Sequence, residues 1–467
     1  MHDAIAIACE RENMESWDIV IIGSGPAALR AAVASADAGT TPLVIDSSGI
    51  GSASGAAPLS GLAASIDELD STVHRDDTVT AGGDSTDKGA AARFCGEAVS
   101  TLAELERWGL VLRRRDGGLP HTSEAPGHSR PRLTGCGDST AREVSRLLEE
   151  QAIKRGIPRR SDLVPLSLVM DNQQVRGVVV LDLLSGEISS IQSKAVILAT
   201  EGHQGIWSTP SSGPGTGAAL AAAAGVGLSG MANAPRHPLT IRDTTIHLPL
   251  DLLGSGGRIR TESGEDVGPE AVLDGEGCVL DLRSLDSASA PWFAQTARRV
   301  REGAGLDMTT DVIPLSASIA STTGGAPVDE NGRVTFDTGG MWFTGLYAAG
   351  RSANTGMHGE GMLAGNQLLE DLVSGKSAGE HAGDWASDQT FAASSMISDA
   401  TSAQKARVAS LMGRSGESVG RVSSAVSTIM TGLNGSRDEN SLEAAATVIA
   451  GLREEGIKVT DSSMVMN

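Results

Sequence analysis

Apolar residues run without a break over 19–22 in the stretch DIVIIGSGPAALRAAVASADAGTTPLVID, give way to a glycine turn, and return over 43–45 just before Asp46. An unbroken run closed by turn residues predicts a strand buried on both faces, and the alanine-rich segment between the two runs predicts a helix. SKAVILAT at 193–200, closed by the turn EGHQG, and GLYAAG at 345–350 have the same character. Strands so alike and so far apart predict one sheet assembled from distant segments, with another domain inserted between them. Downstream, LLEDLV follows the small residues of HGEGMLAGNQ, and SLEAAATVIAGLREEG carries helical spacing. AALAAAAGVGLSGM comes nearest to a membrane span, but it is short and broken by glycine, so direct membrane insertion is not expected.

Composition narrows the picture. The chain has 467 residues, 40% of them hydrophobic, which is enough for two or three packed domains. A net charge of -21 argues against nucleic acid and anionic membrane as partners, since both require basic surface. Cys9, Cys95, Cys136 and Cys278 show no C-x-x-C spacing, so no metal site and no disulfide framework is expected, and the expected compartment is a reducing cytoplasm.

The first turn carries the clearest chemistry. Gly23 permits a sharp exit from the strand, and Gly25 lets a pyrophosphate approach the backbone. Pro26, Ala27 and Ala28 open a helix whose N-terminus faces the phosphates. Asp46 falls where a ribose hydroxyl is accepted. Strand, helix and acid at these offsets predict a dinucleotide site, and the distant third strand favours FAD over NAD.

From Asp18 onward the chain resembles the flavoprotein subunits of succinate dehydrogenase and fumarate reductase, with L-aspartate oxidase as a close relative. ATEGHQGIW, RHPLTI, TTGGAPVDENGRV and GLYAAGRSANTGMHGEGMLAGNQLLED match that family's motifs in order. The resemblance implies an α/β fold: a Rossmann-like FAD-binding domain at 16–235 and 330–385, an inserted α+β capping domain at 236–329, and a helical tail at 386–467. It also implies hydride transfer between a small-molecule substrate and FAD, and it admits an iron-sulfur electron-transfer subunit as partner. Further FAD contacts are expected at Ser52, Ser54, Gly55 and Ala57, and at Thr200, Gly202 and Gly350. Asn366, Gln367 and Leu368 should open a helix toward the flavin, the glycines before them admitting that close approach.

Departures from the family set the functional expectation. Met362 stands where an arginine clamps the substrate, Trp292 where an arginine moves a proton, and Ala320 where a histidine is found. Leu253 and Ser255 replace an Arg and a Glu. Ala53 occupies the position of the histidine that attaches FAD, so non-covalent FAD is expected; Arg351 and Thr216 replace two acidic FAD contacts. The substrate is therefore expected not to be succinate. His237, Arg258, His358 and Glu360 are the candidate catalytic groups, with Arg242 and His247 nearby.

Overall fold

The computed structural model describes residues 14–47, 61–67, 69–115, 117–207, 213–336, 340–434 and 437–458. The first apolar run forms β1 (Ser16–Ile22), followed by α1 (Pro26–Asp37) and β2 (Pro42–Ile45). The run is unbroken because the strand feeds two cores. Val20 and Ile22 join Leu43 and Ile45 on one face, while Ile19 and Ile21 meet the alanines of α1 on the other. β1 and β2 are parallel, with Ile22 opposite Ile45. Helix α2 (Asp70–Gly82) follows.

Strands β3 (Leu163–Asp171), β4 (Gln174–Asp182) and β5 (Ile188–Leu198) form an antiparallel meander. β5 then lies parallel to β1, with Leu198 opposite Ile22.

A second sheet draws only on residues 236–319. Its strands β6 (Arg236–Ile241), β7 (Arg258–Thr261), β8 (Cys278–Asp281) and β9 (Val312–Ile319) are antiparallel in the order β6-β9-β8-β7, with a short strand, Asp266–Val267, at the far edge. Helix α3 (Ala294–Ala304) packs on this sheet, sharing Val300 with a core that includes Leu239, Ile259, Leu280 and Ile313.

The chain then returns to the first sheet. β10 (Trp342–Ala348) runs parallel to β5, with Ala348 opposite Leu198. α4 (Asn366–Ser387) lies against α1 at very short range: a Cβ on Gly375 would stand 2.5 Å from Ala27 O, and one on Gly379 2.3 Å from Ala31 O. The tail forms α5 (Ser394–Leu411), α6 (Val419–Gly432) and α7 (Glu439–Glu455). α5 covers the outer face of the meander, where Ile397 packs on Val169 and Val179. Among the described residues no helix is long and apolar enough to cross a membrane, and no group of three or more His, Cys, Asp or Glu could hold a metal ion.

Candidate functional site

The paired ends of four parallel strands lie side by side, because Ile22 faces both Ile45 and Leu198, and Leu198 faces Ala348. Gly23 and Asp46 follow these ends directly, and Thr200 and Gly350 come one residue later, which brings residues from four distant segments to one rim. Gly23 has φ +126°, and a Cβ on it would lie 2.1 Å from Ala199 O. Gly25 caps α1 with no side-chain hydrogen bond, and Pro26 occupies the first turn, so the first amides of α1 are left to an anion. Ala27 and Ala28 are buried against the sheet.

Ser24 Oγ donates to Asp46 Oδ2, and the Ser47 amide donates to Oδ1 at 2.8 Å. Thr200 is tied across the rim: its amide donates to Ser352 Oγ at 2.8 Å, and its Oγ1 accepts from the Gly217 amide at 2.9 Å. A Cβ on Gly202 would meet Thr322 Oγ1 at 2.2 Å, and one on Gly350 would meet Asp371 Oδ1 at 2.6 Å and the Ala27 Cβ at 2.8 Å. An uncapped helix start, a carboxylate at the second strand end and side-chain-free turns between them fit a dinucleotide lying across the rim. Ser52, Ser54, Gly55 and Ala57, like Ala53, lie outside the described residues.

The loop before α4 is packed tightly on the protein's own backbone. Its glycines make room for the protein's own backbone: a Cβ on Gly359 would lie 2.1 Å from Gly82 O, one on Gly361 2.0 Å from Ala81 O, and one on Gly365 2.6 Å from Gly61 O. The loop is thus pressed onto the end of α2. Asn366 faces the same helix, its Oδ1 accepting from His74 Nε2 at 2.7 Å and its Nδ2 donating to Thr78 Oγ1 at 2.8 Å. With its amide oxygen turned toward the guanidinium, Gln367 accepts from Arg351 Nε at 2.8 Å. The Leu368 side chain sits in the core with Leu62 and Leu102. What these three residues can offer a cofactor is the N-terminus of α4, which Gly365, at φ +79°, caps without a side-chain bond.

A buried network that the sequence reading missed holds this loop. Arg132 is fully buried and donates from Nε and Nη2 to Asp70 at 2.6 and 3.0 Å, and from Nη1 to Asp77 at 3.0 Å and to His128 Nδ1 at 2.7 Å. His128 Nδ1 is therefore an acceptor, and its Nε2–H donates to Ala364 O at 3.0 Å. Burial, then Arg132, hold the His128 pKa down at about 4, which keeps that tautomer neutral.

Of the four candidate catalytic groups, His237 and Arg258 lie on strands of the second sheet, and His358 and Glu360 on the loop before α4. His237 is buried in the cap, donating from Nε2 to Leu248 O at 2.8 Å. Its ring meets that of His247 edge-on at 5.7 Å. His247 Nδ1 meets Thr240 Oγ1 at 3.0 Å and Ser318 Oγ at 3.3 Å, and its Nε2 is buried without a partner. Burial lowers the two histidines to about 4 and about 3. His358 lies beneath α4, 3.5 Å from Glu370 Oε2, and is lowered by burial to about 3. Glu360 is exposed on the loop. Arg258 stands apart on the outer edge of the cap, paired with Asp266 at 3.1 Å; Arg242 reaches Glu262 at 3.9 Å.

At the positions that depart from the resemblance, Leu253 and Trp292 pack against the cap core. The Arg113 guanidinium lies 4.2 Å above the Trp292 ring. Burial lowers the Arg113 pKa while Asp251 and Asp286 oppose the shift; Arg299 is lowered in the same way, opposed by Asp138. Asp138 also accepts from the Thr296 amide at 2.6 Å, fastening the start of α3 to the segment before the meander. His128 and Arg132 sit four apart in GHSRPR, a loop spacing that carries no periodic signal.

Residues 18–368 match the FAD binding domain family. The 8-methylmenaquinol:fumarate reductase flavoprotein subunit of Wolinella succinogenes is 28% identical over 429 residues, covering 83% of this chain and 69% of that one. The L-aspartate oxidase of Mesorhizobium japonicum is 32% identical over 397 residues, covering 77% and 75% of the two chains. A solved chain of E. coli quinol fumarate reductase superposes with a TM-score of 0.89 at 22% identity, over 97% of this chain and 86% of that one.

Proposed function

Since the chain belongs to the FAD binding domain family and is an FAD-dependent oxidoreductase of the succinate dehydrogenase and fumarate reductase flavoprotein family, we propose that its substrate is a small molecule carrying less charge than a dicarboxylate. FAD, when bound, supplies the hydride acceptor or donor. Gly23, Gly25, the first turn of α1 and Asp46 hold its dinucleotide part, and the N-terminus of α4 faces its ring. The flavin is held without a covalent bond, as Ala53 supports.

The observation that carries the substrate reading is the set of uncharged side chains, Met362, Leu253 and Trp292, at positions where the resemblance expects arginines. His237 and His247 are neutral at physiological pH. Arg113 is stacked on Trp292, its guanidinium 4.2 Å from the ring centre, and burial lowers the Arg299 pKa while Asp138 opposes the shift. Met362, Ala320 and Leu253 supply no charge. A neutral carbonyl or alkene substrate needs orientation and one proton, and His247 Nε2 and both ring nitrogens of His358 are buried without a hydrogen-bond partner and so are candidates to serve it.

The proposal extends to an iron-sulfur electron-transfer partner, which accords with relatives named as flavoprotein subunits, and to a cytoplasmic location, which the free thiols of Cys95, Cys136 and Cys278 support. The test is anaerobic. The FAD-loaded protein is reduced, and flavin reoxidation is followed with fumarate and with uncharged enones of similar size. Each missing charge-assisted clamp costs about 2–4 kcal/mol, or about 30- to 1000-fold in rate, so fumarate should be nearly inert and a neutral enone faster. Fast reoxidation by fumarate would overturn the reading.

A further inference from the structure

Three consecutive residues at the start of α4 are each held by a polar contact from outside the helix. Ala364 O accepts from His128 Nε2 at 3.0 Å, and Gly365 O accepts from the Ala63 amide at 3.2 Å. The Asn366 side chain meets His74 and Thr78 on α2. The second of these joins backbone to backbone, and the third acts on a side chain. The first is different, because there a side chain grips the backbone itself, one residue before the capping Gly365. The loop that carries His128 is shaped for that approach. Gly127 has φ +84°, and a Cβ on it would lie 3.0 Å from Leu363 Cδ1. Ala125 and Leu133, on either side of His128 in the chain, share an apolar cluster with Ala364.

His128 is itself held in place. Arg132 Nη1 donates to its Nδ1 at 2.7 Å, and the same guanidinium is fixed by Asp70 and Asp77 of α2, so a continuous polar chain runs from α2 through Arg132 and His128 to Ala364 O. The donation to Nδ1 leaves the ring hydrogen on Nε2, the atom that faces the carbonyl. We propose that His128 is a positioning residue for the flavin, acting through Ala364 O to set the direction in which the first amides of α4 point at the ring. The inference rests on the reading that the N-terminus of α4 faces that ring. The field of a helix end falls off within its first turn, and donors aimed at developing charge are sensitive to small displacements. Loosening the Ala364 peptide therefore weakens the stabilisation of negative charge on the reduced flavin without removing any group that touches it.

The test compares His128→Asn with His128→Gln in the full-length, FAD-loaded protein. Asparagine still offers Arg132 an acceptor but is too short to reach Ala364 O, whereas glutamine can accept and donate at once. One readout is sulfite, which adds reversibly to an oxidised flavin, bleaches its visible band and leaves negative charge on the ring, so its affinity reports the field there independently of turnover. The other is the flavin midpoint potential. His128→Asn should bind sulfite about fivefold more weakly and have a lower potential, and His128→Gln should restore both. A residue that merely stabilised the fold would lower the urea midpoint and move neither readout. Unchanged sulfite affinity and potential in His128→Asn, or no recovery in His128→Gln, would overturn the inference. Asn366→Asp, which places a carboxylate on the first residue of α4, separates the inference from the reading beneath it. If Asn366→Asp moves the readouts and His128→Asn does not, the inference alone falls; if neither variant moves them, the N-terminus of α4 does not face the ring and both fall.

Discussion

Arg132→Leu should be among the most damaging single substitutions in this protein, and the damage should depend on pH. The arginine makes four buried donations, at 2.6, 3.0 and 3.0 Å to two carboxylates and at 2.7 Å to His128. Leucine removes all four and leaves Asp70 and Asp77 enclosed without a cation. Removing one partner of a buried ion pair costs about 3–5 kcal/mol, whereas exposed pairs such as Arg298–Glu302 contribute well under about 1 kcal/mol. Against a total stability of about 5–15 kcal/mol, that is a large fraction.

The pH dependence follows from Asp77. Burial pushes its carboxyl up, but hydrogen bonds from Ser129 and then Arg132 hold it below its ordinary value of 3.8. A depressed carboxyl adds stability that is present above its unfolded pKa and lost as pH falls through the lower folded value. Without Arg132 the downward pull weakens although the Ser129 hydrogen bonds remain, the carboxyl titrates higher than in the native protein, and the variant's deficit shrinks as Asp77 becomes neutral. Urea unfolding followed by tryptophan fluorescence at about pH 7.5 and about pH 4.5 should show a deficit that shrinks at the lower pH, and the double variant Arg132→Leu/Asp77→Asn should recover part of it. A cost below about 1 kcal/mol at both pH values would refute the reasoning, because the network would then carry no buried charge worth compensating.

Gly25→Val should abolish flavin binding in a chain that still folds, since its side chain enters the space beside the first amides of α1; stoichiometric FAD in the purified variant would mean the cofactor lies elsewhere. Acid precipitation of the native protein should leave all the flavin in the supernatant, and a yellow or fluorescent pellet would contradict non-covalent attachment. Glu370 is pushed up to about 8, by burial first and Asp371 next, against the Thr355 hydrogen bond. Its contribution to stability is full below its ordinary 4.5 and drains as pH rises to about 8, so Glu370→Gln should flatten the decline of stability over that window, and parallel curves for the two proteins would count against it.

The cofactor half of the molecule was legible because its signals are backbone signals. A strand buried on both faces must be apolar at every position, and a glycine at φ +126° pressed on Ala199 O admits no other residue, so both leave a mark that needs no knowledge of partners. The loop at 358–365 shows where this kind of reading stops. Its glycines report that something lies close, and Ala81, Gly82 and Gly61 are the protein neighbours, which the sequence does not name. Gly375 and Gly379, inside a long helix, report the same kind of contact with α1, again without naming the neighbour.

Side-chain chemistry fared worse. Arg258 and Glu360 have the residue types of a catalytic site but lie at the surface, while Arg132 and His128, in an irregular loop, form a buried anchor whose partners come from α2 and from the loop before α4. Nothing local marks such a network, because each member is defined by residues dozens of positions away.

The alignment of strand ends at the rim also governs how the protein is made. β1 leaves the ribosome early, but its inner neighbour β5 pairs with it only once Leu198 has been synthesised, and β10 closes the row later still, after the whole cap. During that interval Ile19–Ile22 has only β2 beside it, so a strand buried on both faces in the finished fold is exposed in the nascent chain. Pairings this distant in sequence fold slowly and leave unpaired apolar edges open to aggregation. The proposed flavin site draws on Gly23, Asp46, Thr200 and Gly350, so on that proposal capture follows the synthesis of β10 and retained yellow colour reports that both halves of the sheet have met.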